Sequence, residues 1–174
     1  MDNTPPAEIN ENRSPNLIRS LITRWRSTIL FGTGFLFLGF GGIQLIPIDR
    51  TNPPVTCEIK WDLVETKTIA VNACYDCHSN ETVWPWYSKI APVSWRVANH
   101  VTEGREHINF SEWDVQYYPD LLIEDFADVL LHNTMPTRDY RWAHGEARLS
   151  DDEKQQLIDG FTLSVQQNGN TCAE

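Results

Sequence analysis

From Ser27 to Ile48 the chain lacks any charged side chain, and apart from its initiator it holds one methionine, Met135. Such a long, mostly apolar run excludes an ordinary solvated surface segment. No second C-x-x-C and no H-x₃₋₅-H accompanies Cys74 and Cys77, so a four-ligand zinc site has nothing to complete it. No stretch alternates apolar and polar residues convincingly, which argues against β architecture. Basic residues are scarce: fourteen against twenty-four acidic ones, a net charge of −10. Residues 1–26 carry four arginines and three acids, leaving ten basic against twenty-one acidic groups beyond them. A domain this acidic binds neither nucleic acid nor an anionic lipid surface. Its charge serves solubility or steers a basic partner towards it.

What is present begins with the uncharged run. At about 1.5 Å per residue, residues 27–48 reach about 33 Å as a helix, enough to cross membrane lipid. A cleaved secretory signal has a shorter leader, a shorter apolar region and a small-residue cleavage site. Gln44-Leu-Ile-Pro-Ile-Asp-Arg offers no such site, so an uncleaved single-pass anchor is expected. Arg13, Arg19, Arg24 and Arg26 crowd its N-terminal flank, whereas only Arg50 and Lys60 follow it, which places the N-terminus in the cytoplasm. Residues 1–14 read as polar and disordered, with Leu17, Ile18, Leu21, Ile22 and Trp25 forming an interfacial helix turn. Gly32 and Gly39, like Gly34 and Gly41, recur at seven-residue intervals and make a seam suited to a helix of an integral-membrane complex. Pro47, Pro53 and Pro54 end the helix and stiffen a short linker.

Cys74-Tyr75-Asp76-Cys77-His78 is a C-x-x-C-H run. Two cysteines three apart on a helical turn can each form a thioether with a vinyl group of one haem. The adjoining imidazole then falls beneath the iron. A thioredoxin-like pair would follow a β-strand, and the residues before Cys74 read as helix. The expectation is one haem c, covalent through Cys74 and Cys77, with His78 as axial ligand. Such haem is attached on the outer side of an energy-transducing membrane, in agreement with the arginine bias. The domain is therefore expected in the periplasm or lumen, on a bacterial inner or photosynthetic membrane. In that oxidising compartment Cys57 and Cys172 either pair or remain thiols; spacing does not choose.

The exported part reads as all-α, cytochrome c-like, with long aromatic loops. A first helix is expected from Trp61 to Cys77 with Trp61, Val64, Thr68, Val71 and Tyr75 on one stripe. A second starts at Pro92 and shows Val93, Val97, His100, Val101 and Gly104 on one face. A third follows Pro119 with Leu122, Phe126, Val129 and Leu130 inward. The last is announced by the capping box Ser150-Asp-Asp-Glu153, buries Leu157, Ile158, Phe161 and Val165, and stops before Gly169. Trp84, Trp86, Tyr87, Trp95, Phe110, Trp113, Tyr117 and Tyr118 lie between helices and suit either a core or the wall around a porphyrin; the wall is favoured.

Opposite His78, Met135 is the favoured sixth ligand. It stands at a Met-Pro turn off any apolar stripe, and a thioether stabilises ferrous iron. His144 and His100 are the alternatives. His107 looks exposed, and His132 fits a helix C-terminus. Carboxylates of the cofactor call for cations, with Arg96, Arg105, Arg138 and Arg141 nearest in sequence.

The run from Cys74 through Thr82, then Trp84-Pro-Trp-Tyr-Ser, Ile90-Ala-Pro-Val-Ser-Trp95, Gly104-Arg-Glu-His-Ile-Asn-Phe-Ser-Glu-Trp113, Met135-Pro136, Tyr140 and His144-Gly-Glu-Ala-Arg-Leu149 resembles the bacterial haem-binding domain family. The resemblance covers about residues 60–165. It implies small, often anchored, c-type cytochrome-like proteins with haem on Cys74 and Cys77 and His78 as ligand. The expected layout is a polar segment and interfacial helix (1–26), a membrane helix (27–48), a linker (49–60), a haem domain (61–168) and a tail (169–174). An electron carrier within or beside a membrane complex is the leading reading. A peroxidase-like enzyme with a displaceable sixth ligand, with His100 or His107 as acid–base group, is the alternative, and a haem-based sensor ranks last.

Overall fold

The structure, a computed structural model, describes residues 14–113, 119–169 and 172–173. Residues 1–13, the side chains of Leu17 and Ile18, and Tyr117 and Tyr118 lie outside the described residues. The chain divides into two compact units, Met1–Pro47 and Ile48–Glu174.

The first unit contains helix α1 (Ser14–Ile43). Its 25-residue portion Arg19–Ile43 is long and apolar enough to cross a membrane. The hydroxyls of Thr23, Thr28 and Thr33 each donate to a carbonyl one turn earlier, at 2.8–3.0 Å. No hydroxyl of the three is therefore left bare in apolar surroundings. The helix stops at Ile43, short of the expected Ile48, in turns where Gln44 and Leu45 donate to Gly41 and Gly42 carbonyls. The ring of Pro47 could not follow inside a helix, so the chain leaves it beforehand.

The second unit holds α2 (Val64–Ala73), α3 (Tyr75–His78), a 3₁₀ turn (Trp86–Lys89), α4 (Val93–His107), α5 (Pro119–Leu131), α6 (Arg138–Ala143), a second 3₁₀ turn (Gly145–Ala147) and α7 (Asp151–Asn168). Among the described residues there is no strand, only isolated bridges from Cys57 to Glu112 and from Ile59 to Cys172. The architecture is all-α, as the sequence pattern indicates.

Local chemistry explains most boundaries. Ser150 Oγ accepts from Glu153 N while the Glu153 carboxylate accepts from Ser150 N, which closes the capping box of α7. Gly169 ends α7 at φ +52°, a left-handed conformation that costs glycine little. Asn133 does the same after α5 at φ +56°.

The core is built from Ile59, Ala70, Tyr75, Phe110, Trp113, Leu130, Leu157, Phe161 and Val165. Aromatic rings dominate it. Phe126 stacks on Phe161 at 3.9 Å between centroids, Tyr75 on Phe110 at 5.4 Å, and Trp113 meets Phe161 edge-on at 6.0 Å. Phe110 and Trp113, read from the sequence as candidate porphyrin wall, are buried members of this core.

One expected face is wrong. α2 buries Thr66, Ala70 and Ala73, whereas Val64 and Val71 are exposed. The reason is close approach to α7. A Cβ on Gly160 would lie 2.5 Å from the Thr66 side chain, so the small residues, not the apolar ones, face inward. The helix also breaks at Cys74 (φ −126°) instead of running on to Cys77.

Residues 50–59 lie against the domain. Arg50 donates to Ser88 O, Asn52 to Thr82 O, and Ile59 N to Phe110 O. Cys57 and Cys172 form a disulfide across 115 residues, settling the pairing that spacing left open.

Candidate functional site

Cys74 sits at the break between α2 and α3, and Cys77 and His78 follow on α3. Both thiols are half-buried and unjoined, although Cys57 and Cys172 are paired in the same chain. Burial pushes Cys74 up to about 12, with the neighbouring Cys77 adding to the rise. Cys77 is pushed up to about 11, by burial first and then by the charge of Asp76.

The His78 ring is fixed by α4. Its Nδ1 lies 2.9 Å from Gly104 O and 3.2 Å from Ile108 O, both acceptors, so Nδ1 carries the proton and Nε2 is left as the lone-pair nitrogen. Burial holds the imidazole below its ordinary pKa, against the opposing pull of those carbonyls. The Phe110 ring stands 6.3 Å from the imidazole. Gly104 permits this approach, because a Cβ there would fall 2.5 Å from Cys77 O.

The loop after His78 is held by side chains whose role was not evident from spacing. Arg105 donates from Nε to Ser79 O at 2.8 Å, from one terminal nitrogen to Thr51 O, and from the other to Asn52 Oδ1 and Thr82 Oγ1. It is one of four arginines the sequence offers as partners of a cofactor carboxylate, and its guanidinium is committed to the fold. The Asn80 side chain donates to Glu112 Oε1 and Pro54 O and accepts from Asn109, and its backbone N–H donates to Ser111 Oγ. The Ser-Asn-Glu-Thr and Asn-Phe-Ser-Glu-Trp motifs are thus the two halves of one clamp.

Asp76, between the two cysteines, is the residue that sequence reasoning passed over. Its Oδ1 accepts from Val83 N at 2.8 Å and its Oδ2 from Tyr140 OH at 2.9 Å. Tyr140 stacks on His144 at 4.2 Å, and His144 Nε2 lies 2.8 Å from Tyr87 OH. His144 Nδ1 lies 3.3 Å from Glu146 Oε1, so both of its ring nitrogens have partners. Tyr87, Tyr140 and His144 are in this way brought against the C-x-x-C-H segment. A pattern search for ligands has no reason to notice an aspartate whose task is positional.

The other expected residues are placed as follows. Met135 is partly exposed in the turn after α5, where its N–H and that of Thr134 donate to Val129 O. His100 is half-buried on α4 and His107 exposed. Burial raises Asp139, yet a Thr137 hydrogen bond and the charges of Arg96 and His100 hold its carboxyl below the ordinary value. Arg96, expected near a cofactor carboxylate, pairs with Asp139 at 2.9 Å. Trp84 donates to Asn52 and Trp86 is 74% exposed. Trp95 is half-buried, and its Nε1–H has no acceptor among the described residues. Trp113 Nε1 donates to Gly169 O. Among the described residues no group of three His, Cys, Asp or Glu could hold a bare metal ion.

A family model described as a haem-binding domain matches residues 38–162. Comparisons with curated proteins and with solved structures give no match. With that match covering well over half of its length, the chain belongs to the haem-binding domain family and is a haem-binding protein.

Proposed function

We propose that this chain is a membrane-anchored, single-haem c-type cytochrome that carries electrons for a larger membrane complex. The observation that carries the reading is the His78 ring, held through Nδ1 by two backbone carbonyls with Nε2 left free. That is the arrangement by which a protein sets the tautomer and basicity of a ligating imidazole. Two further features fit a covalently held haem. Cys74 and Cys77 stay unjoined beside a formed disulfide, and the buried Trp95 Nε1–H lacks an acceptor that a carboxylate would supply.

When bound, the haem supplies a one-electron couple between ferric and ferrous iron. The chain's residues divide the remaining work. Cys74 and Cys77 would each add a thiol across one vinyl group, fixing the group so that no exchange with solvent occurs. Gly104 and Ile108 orient His78. Met135 is the better sixth ligand than His144, because both ring nitrogens of His144 already have partners while Met135 has only its backbone tied. The α1 helix would anchor the domain. Its glycines have no side chain within 4 Å, which leaves the seam open to a partner helix.

The test is the spectrum of the full-length protein purified in mild detergent. Six-coordinate, low-spin iron without CO binding supports an electron carrier. Met135→Ala should then lower the potential and abolish the weak far-red band of Met-ligated ferric haem. Five-coordinate, high-spin iron would overturn it in favour of a peroxidase-like enzyme using His100 or His107.

A further inference from the structure

The Cys57–Cys172 disulfide presents its two halves unequally to solvent: Cys172 is exposed and Cys57 half-buried. Structural disulfides resist thiols, whereas exposed ones belong to the labile, regulatory class. Little packing surrounds this cross-link. Residues 51–56 and 172–173 are all exposed, and the first buried apolar side chain in that stretch is Ile59, at 2% exposure.

What the disulfide holds is a short ladder. Thr56 and Cys57 donate their N–H groups to Ser111 O at 3.0 and 3.1 Å. Trp113 N donates to Cys57 O at 2.8 Å, and Ile59 N to Phe110 O at 2.8 Å. Ala173 N adds a bond to Glu58 O at 2.9 Å. Hydrogen bonds that face water without apolar packing behind them open at little cost in free energy. Residues 54–57 therefore depend on the covalent link to stay in register.

The same stretch of chain carries the histidine on its other edge. Phe110 N donates to His78 O at 2.8 Å, and Asn80 N to Ser111 Oγ at 3.0 Å. Ile108 O lies 3.2 Å from His78 Nδ1, and Asn80 Nδ2 reaches across to Pro54 O at 3.0 Å. Residues 108–113 thus stand between the cross-linked strap and the segment that holds His78.

We propose that the Cys57–Cys172 disulfide is a thiol–disulfide exchange site, opened at Cys172 by a dithiol protein, and that its opening is transmitted through residues 108–113 to the His78 ring. A thiolate of the dithiol attacks Cys172 Sγ, the Sγ–Sγ bond breaks, and Cys57 leaves as a thiolate that takes a proton from solvent. The second thiolate attacks the mixed disulfide and releases Cys172. Two electrons and two protons pass to the chain, and the dithiol becomes a disulfide. Once the strap is loose, Ile108 O is no longer fixed against Nδ1. A weaker bond there lowers the basicity of the imidazole, and a poorer donor on ferric iron raises the potential. The exchange itself is independent of haem; its effect on the potential rests on His78 as ligand.

The test uses the full-length haem-loaded protein in nanodiscs of zwitterionic lipid. It is treated with dithiothreitol, or with glutathione as a monothiol probe, then alkylated and peptide-mapped. The proposal expects Cys57 and Cys172 to be labelled without denaturant, with the glutathione adduct mainly on Cys172. Labelling only after denaturant has unfolded the chain, or an adduct mainly on Cys57, overturns it.

Hydrogen exchange reads the transmission, in the reduced protein and separately in Cys57→Ser with Cys172→Ser. The amides of Ile59, Phe110 and Trp113 should accelerate at least about tenfold more than those of Leu157 and Phe161, buried in α7. Equal acceleration throughout would mean that the cross-link serves global stability alone, which overturns the coupling to His78. The midpoint potential of the double variant should lie above that of the parent, and an unchanged or lower value overturns the coupling too. Alkylation of Cys74 and Cys77 in the same maps reports missing haem attachment, so failure of that reading is distinguishable from failure here.

Discussion

The phenol of Tyr140 donates a 2.9 Å hydrogen bond to Oδ2 of Asp76, tying α6 to the segment between the two motif cysteines. Met135 lies five residues before Tyr140, so this bond tethers the stretch that follows the Met135 turn to the C-x-x-C-H segment. Tyr140→Phe keeps the ring stacked on His144 and removes only the hydroxyl. It should cost about 1.5–3 kcal/mol in denaturant unfolding, since the acceptor is a carboxylate. It should also weaken the far-red band if Met135 ligates the iron. Unchanged stability and an unchanged spectrum together would contradict this positioning role.

Alkaline titration offers a second check. Burial raises Tyr140, and the charge of Asp76 raises it further. Burial likewise raises Tyr75, partly offset by its hydrogen bond from Trp61. A raised pKa means that the folded chain keeps protons that the unfolded chain releases. The associated stability is therefore complete below the ordinary tyrosine value of about 10 and is lost as pH rises towards the folded values. These two phenols should ionise only together with loss of helical circular dichroism. Smooth titration of every tyrosine near pH 10, with helicity intact, would contradict the burial of both.

Gly104→Ala sets two effects against each other. Alanine in a helix gains about 1 kcal/mol over glycine. The added Cβ would lie 2.5 Å from the backbone oxygen of Cys77, and backbone cannot swing away as a side chain can. Overpacking of about 1–3 kcal/mol wins. The variant should be destabilised and recovered with less haem, whereas Gly145→Ala, with nothing within 4 Å, should be tolerated. Equal recovery of haem in both would refute the close approach of α4 to α3.

The Cys57–Cys172 disulfide closes a loop of 115 residues. Loss of so long a cross-link, through Cys57→Ser with Cys172→Ser, should cost about 2–5 kcal/mol. Thermal unfolding of the double variant against the parent measures it. A melting temperature unmoved by the change would mean that residues 56–59 are held by their backbone bonds alone.

Much of this was legible beforehand, for identifiable reasons. The capping box of α7 and its buried Leu157, Phe161 and Val165 are strong periodic signals, and they stand as read. α2 misled because hydrophobicity pointed to Val64 and Val71, while the packing contact is made by Thr66 against Gly160, where shape decides and hydropathy is silent. Residues 49–60 read as linker from their prolines. Their hydrogen bonds to Ser88, Thr82 and Phe110 are long-range and leave no local trace. The structural tasks of Arg105 and Asp76 leave no local trace either. Each is polar, and its partners lie on segments distant in the chain.

The central claim is covalent attachment of one haem at Cys74 and Cys77. Intact mass spectrometry of the full-length protein, purified from a host that matures c-type cytochromes, tests it most directly. The account predicts a mass above that of the polypeptide by one haem, lost in the double variant Cys74→Ser with Cys77→Ser. A bare polypeptide mass, with all colour extracted by acid–acetone, would contradict it.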